Sequence, residues 1–177
     1  GTPLTQYYLE HRGEWDIHPV AAAFNAVGLD YFTLGNHDFN FGYDALREYL
    51  NAVDGQCLCA NVEDLGGELP IRPWTVHTLS NGLRIGLTGV VTDFVNIWEQ
   101  PQNLERLRIT DAFQAARAAC ATLREQCDVR VCIYHGGFEE ELETGRVLSD
   151  SGENIACRLA RELDFDLLLT GHQHMAV

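Results

Sequence analysis

Between His18 and Val27 the apolar residues Val20, Ala21, Phe24 and Val27 recur at the spacing of one helix face, and Gly28 ends the run. Asp30 to Leu34 then reads as a buried strand. The pattern predicts a second helix from about Tyr43 to Val53, a short strand from Cys57 to Asn61 and a turn at Asp64-Leu65-Gly66-Gly67. Trp74 to Leu79 and Leu83 to Val91, split by Ser80-Asn81-Gly82, read as a β-hairpin with an Asn-Gly turn. Thr110 to Gln126 predicts an amphipathic helix capped by Thr110 or Asp111. Val129 to Tyr134 reads as a buried strand, Gly152 to Leu163 as a helix, and Phe165 to Thr170 as a final apolar strand. Strands alternating with helices predict an α/β layer with parallel strands, and the hairpin makes the sheet mixed. No repeat or linker interrupts the pattern, so 1–177 reads as one domain.

A hydrophobic content of 46% supplies an ordinary core for 177 residues. The formal charge of −14, from 26 acidic and 12 basic residues, argues against a nucleic-acid duplex as partner. A small phosphate ester remains compatible with such a surface if metal ions supply the positive charge. No apolar run approaches the roughly 18 to 20 residues of a membrane span, and no signal-peptide pattern opens the chain. Gly1-Thr2-Pro3-Leu4-Thr5 reads as the interior of a loop without an initiator Met, so the sequence is expected to be trimmed and the compartment stays open. Cys57, Cys59, Cys120, Cys127, Cys132 and Cys157 are expected to be buried free thiols, which suit a reducing or anaerobic setting; the alternative is metal ligation by Cys57 and Cys59.

The candidate chemistry collects at strand ends. Leu34 runs into Gly35-Asn36-His37-Asp38, Tyr134 into His135-Gly136-Gly137, and Thr170 into Gly171-His172-Gln173-His174. Ligands of open α/β sheets bind beyond the carboxyl ends of strands, so these segments should converge on one edge. A single histidine in a turn is most simply a hydrogen-bonded turn residue. Three strand ends carrying the same chemistry favour a metal site, and a cluster of His with an amide and a carboxylate suits Zn, Mn or Fe better than Ca.

These blocks, in this order, resemble three signature motifs of the calcineurin-like metallophosphoesterases. GNHDFNFG from Gly35 to Gly42, the opening GTPL and IWEQPQNL from Ile97 to Leu104 are similar to segments of bacterial 5′-nucleotidases and 2′,3′-cyclic-nucleotide 2′-phosphodiesterase/3′-nucleotidases. The resemblance implies an α/β fold of the layered α/β/β/α sandwich type with mixed sheets, and hydrolysis of nucleotide phosphoesters with two divalent metal ions. It implies Asn36, His135 and His172 at one metal and His174 at the other. His37 would be the catalytic histidine, with Asn40 three residues on where many 5′-nucleotidases carry Asp; Asn is frequent in the cyclic-phosphodiesterase branch. Asn40 cannot supply the negative charge that raises the pKa of a histidine. Two ions about 3.5 to 4 Å apart would clamp the phosphoryl group and activate a water for in-line attack, while His37 protonates the departing oxygen.

The family's upstream Asp-x-His and Gly-Asp blocks have no convincing copy. Asp16-Ile17-His18 spells Asp-x-His, but His18-Pro19 opens a helix. The domain is therefore expected to lack its first strands and part of its ligand set, and to lack the C-terminal domain with which relatives bind the base. The alternatives are another phosphoester or a nucleotide sugar as substrate, or an inactive metal-depleted fragment. Relatives are often exported, which sits against free cysteines. Asp38 reads as a structural partner, Glu139-Glu140-Glu141 as a solvated face, and Trp74, Trp98 and Phe138 as core or rim residues.

Overall fold

The computed structural model describes residues 3–174; Gly1 and Thr2 of the GTPL opening and Met175 to Val177 lie outside the described residues. The expected opening loop is instead a helix, α1 (Pro3–Glu10), with proline in its first turn, where a missing N–H costs nothing. Buried Tyr8 ties α1 down by donating its hydroxyl to Glu48, which also pairs with Arg12.

α2 (Pro19–Ala26) is capped by His18, whose Nδ1 accepts from the Val20 amide at 3.3 Å. The His18 ring is 3% exposed and lies between Tyr8 and Tyr49, with centroids 4.7 and 5.1 Å away. Burial lowers its pKa against the pull of Glu48. Asp16-Ile17-His18 is thus a helix entry.

Two sheets form the middle layers. The first joins β1 (Tyr31–Phe32), β2 (Gln56–Leu58) and β4 (Ile71–Arg72) in parallel. It is backed by α2 and α3 (Gly42–Ala52) through Ala21, Phe32, Leu34, Leu46 and Leu50. The second runs β5 (Trp74–Thr78), β6 (Arg84–Val91), β8 (Val129–His135), β9 (Leu167–Thr170), with the predicted hairpin antiparallel and the rest parallel. α5 (Ala112–Leu123), capped by the Asp111 carboxylate on the Gln114 amide, and α6 (Ala156–Glu162) cover its outer face through Phe113, Ala116, Cys132, Tyr134 and Leu159. A ribbon of β3 (Val62–Asp64) and β7 (Leu107–Ile109) joins the two halves, and α4 (Val95–Trp98) follows β6. The sheets press together where Gly89 meets the Leu58 carbonyl, 2.0 Å from where a Cβ would stand. The expected α/β/β/α order is therefore present.

The strand expected over Cys57 to Asn61 breaks after Leu58. Fully buried Asn61 bonds the Val91 and Thr110 carbonyls and the Val91 amide, so a side chain takes over from the ladder. All six cysteines are buried and free. Burial raises the Cys59 thiol to about 11 and Cys57 further still, so neither is a ready thiolate ligand. The acidic run is engaged as well as solvated: Glu139 accepts from the Cys157 and Arg158 amides at the start of α6, and Glu140 pairs with Arg161. Among the described residues no helix is long and apolar enough to cross a membrane.

Candidate metal and catalytic site

The ends of β1, β8 and β9 meet at one rim. After β1 the chain closes a 3₁₀ turn, Asn36–Phe39, by donating the Gly35 amide to the Asp38 carboxylate at 2.7 Å. Fully buried Phe39 pins the turn from below. Asp38 thus has a structural role; burial raises its pKa and the Gly35 bond opposes that. With Asp38 and Phe39 held, Asn36 and His37 are presented outward.

Gly35 is required by proximity, because a Cβ there would stand 2.8 Å from the His135 ring. That approach lets Asn36 Oδ1 reach His135 Nε2 at 2.9 Å across 99 residues of sequence. Burial, then His172, His37 and His174, lower the His135 pKa to about 4, so its imidazole is neutral near pH 7.

His172 follows β9. Its ring centroid lies 5.2 Å from that of His135, its Nε2 is 3.0 Å from a Glu153 carboxylate oxygen, and the Trp98 indole stacks on it at 5.7 Å. His172 and His174 both adopt left-handed backbone, with φ of 77° and 53°. This conformation is uncommon outside glycine and is kept only where the surroundings impose it. Gln173 between them supplies the restraint, accepting from the Phe138 amide at 2.9 Å and donating to its carbonyl at 3.2 Å. Gly137 makes room, since a Cβ there would lie 2.0 Å from the Gln173 side chain. His174 is exposed and within electrostatic range of His135.

His37 is exposed, and its Nδ1 lies 2.8 Å from Asn40 Oδ1. Asn40 Nδ2 donates to Glu99 at 2.7 Å. Asn36, His37, Asn40, Val95, Trp98, Glu99, Glu153 and His172 line one cavity of about 370 Å³, a size that admits a small organic phosphate. A second cavity of about 80 Å³, mainly apolar, lies behind His37 between α1, α2 and α3.

The sequence motifs thus bring Asn36, His37, His135 and His172 together. Motif reading gave no role to Glu99, Asn103 or Glu153, although IWEQPQNL contains the first two. Trp98 is a rim residue, as expected.

The donors can be tested against a divalent ion. Neutral imidazole and amide oxygen suit Zn, Mn or Fe. Asn36 Oδ1 and His135 Nε2 lie 2.9 Å apart, in hydrogen-bond contact and close enough for both to reach one ion. Among the described residues no three His, Cys, Asp or Glu side chains form a cage by themselves. The residues fit one side of a metal centre, with the amide of Asn36 as a necessary member.

The family model of the calcineurin-like phosphoesterases matches residues 5–176. The chain belongs to this family, whose members use divalent metal ions. It is 28% identical to the trifunctional nucleotide phosphoesterase protein YfkN of Bacillus subtilis, over 98% of this chain and 13% of that protein. It is 27% identical to a 2′,3′-cyclic-nucleotide 2′-phosphodiesterase/3′-nucleotidase of Salmonella typhimurium, over 98% of this chain and 28% of that one. A solved Staphylococcus aureus structure, described as a candidate 5′-nucleotidase, superposes with a TM-score of 0.87 at 32% identity, over 100% of this chain and 35% of that one. The chain thus spans less than a third of the length of these curated relatives.

Proposed function

We propose that the protein hydrolyses nucleotide phosphoesters, as a 5′- or 3′-nucleotidase or a 2′,3′-cyclic-nucleotide phosphodiesterase, with two divalent cations. The observation that carries this reading is the convergence of Asn36, His37, His135 and His172 from three strand ends onto one cavity. Asn36, His135 and His172 would hold one cation, and His174 would belong to the other. Bound cations would neutralise phosphoryl oxygens and make an attacking water acidic enough to ionise.

The chain's own residues do the rest. Asn40 accepts from His37 Nδ1–H and leaves Nε2 to face the substrate; in its imidazolium form the ring would carry a second proton on Nε2, give it to the departing oxygen and be left as the Nδ1–H tautomer. Trp98 and Glu153 hold His172 from two sides. The tight Gly35 approach keeps Asn36 and His135 in register.

The test is turnover of 5′-AMP, 3′-AMP, 2′,3′-cyclic AMP and p-nitrophenyl phosphate with added Zn or Mn, for this chain and for a longer protein made by adding the family's Asp-x-His and Gly-Asp blocks ahead of it. Activity in the longer protein that His37→Ala abolishes is the expected result. A longer protein that binds no metal, or turns over none of these esters, overturns the reading.

A further inference from the structure

Asn40 lies between an imidazole and a carboxylate, and the carboxylate decides which way its amide faces. Glu99 can only accept hydrogen bonds, so Asn40 must present Nδ2 to it, at 2.7 Å across 59 residues of sequence. Oδ1 is then left for His37 Nδ1, at 2.8 Å, and an oxygen acceptor there requires the ring proton on Nδ1.

Glu99 is itself fixed. Its other oxygen accepts from the Gln100 amide at 2.8 Å and from Asn103 Nδ2 at 2.8 Å, and Asn103 Nδ2 also reaches the Asn40 carbonyl at 3.0 Å. Asn103 in turn packs against Gly42, where a Cβ would meet its Oδ1 at 3.3 Å. Burial favours the neutral acid, but these donors outweigh it and hold the Glu99 carboxyl below the usual range. Asn40 carries no charge, so the negative charge of this line sits one residue further out than the side chain that touches His37.

We infer that Glu99 is a positioning residue: acting through Asn40, it sets His37 in the Nδ1–H tautomer and turns Nε2 toward the cavity. The tautomer follows from the hydrogen bonds alone; its effect on turnover rests on the phosphoesterase reading above.

The geometry makes an inverting variant. In Glu99→Gln the amide oxygen must take the place facing two donors, Gln100 N–H and Asn103 Nδ2, so the new NH₂ faces Asn40. Asn40 then flips, presents Nδ2 to His37 Nδ1, and forces the proton to Nε2. Adding Asn40→Asp restores a line of alternating donors and acceptors, with the glutamine NH₂ donating to a carboxylate that accepts from Nδ1–H. Asn40→Asp alone sets two carboxylates face to face.

The experiment measures ¹⁵N shifts of the His37 ring in the zinc-supplemented chain above the histidine pKa, with circular dichroism to confirm folding. The expected result is Nδ1–H in the wild type, Nε2–H in Glu99→Gln, and Nδ1–H again in Asn40→Asp/Glu99→Gln. Glu99→Ala, which removes the acceptor without offering a donor, should give a mixture and serves if Glu99→Gln does not fold. In the longer protein, kcat for a nucleoside monophosphate should fall at least about tenfold in Glu99→Gln at little change in KM, because a ring whose Nδ1 must accept from Asn40 is disfavoured from becoming the imidazolium that gives its Nε2 proton to the leaving oxygen, part of the general-acid contribution. It should fall less for p-nitrophenyl phosphate, whose leaving group needs no proton, and the double variant should recover most of the loss. An unchanged tautomer in Glu99→Gln, or a double variant as impaired as the single, overturns the inference. If the tautomers respond as stated but no form has activity, the phosphoesterase reading fails and the positioning role stands.

Discussion

The two histidine-bearing loops of the rim, 35–40 and 171–174, reach similar positions by different means. The first is ordered mainly by its own residues: Gly35 bonds Asp38, His37 meets Asn40, and Phe39 drops into the core. The second has left-handed backbone at His172 and His174 and is held by Gln173 on the Phe138 backbone, from a strand exit 35 residues earlier. A loop closed by contacts three residues apart is as stable as the turn it forms. A loop closed by another loop is only as stable as the packing between them, which leaves the second loop easier to disturb.

The largest expected effect separates chemistry from metal binding. His37→Ala should lower kcat for a nucleoside monophosphate by about 10²- to 10⁴-fold, the range of a positioned general acid, while zinc affinity changes little. His172→Ala should weaken zinc binding first. Steady-state kinetics in the longer protein and zinc titration of this chain separate the two; equal loss of zinc affinity would remove the division between the loops. Next comes the anchor of the first loop. Phe39→Ala should destabilise the fold by about 3 to 5 kcal/mol, as for other buried aromatics, read by urea unfolding.

Smaller effects probe the second loop. Gly137→Ala drives a methyl into Gln173 and should cost about 1 to 3 kcal/mol, typical of overpacking, with the loss visible in thermal unfolding. Gln173→Ala should cost about 1 kcal/mol for each of its two bonds to Phe138. It should also lower zinc affinity by about tenfold or more, as loss of a ligand's supporting partner does. A Gln173→Ala variant with full zinc affinity would show that His172 is held by Trp98 and Glu153 alone.

Much of this was legible in the residues. The strand-to-motif junctions at Leu34, Tyr134 and Thr170 marked the rim, since apolar runs ending in Gly, Asn and His leave few other readings. The hairpin around Asn81-Gly82 and the Asp111 cap of α5 were equally visible, because turn and cap chemistry is local. Other features were not. The opening helix α1 takes its stability from Tyr8 on Glu48, a contact that periodicity does not encode. Asn61 looked like a strand residue and proved to be a buried polar hub between β6 and the start of α5. Glu139 looked solvated and caps α6.

By itself the sequence determined which apolar runs lead into the rim motifs, which turns close on themselves, and that histidines stand at three strand exits, with amide neighbours at two of them. Period, capping and turn chemistry act over a few residues, so they can be read along the chain. Only the tertiary structure decided that Asn36 meets His135, that Glu99 stands behind Asn40, and that Gln173 is held by Phe138. Those pairs lie tens of residues apart, and their distances are set by how two sheets stack on each other, with Gly35 and Gly137 admitting the close approach.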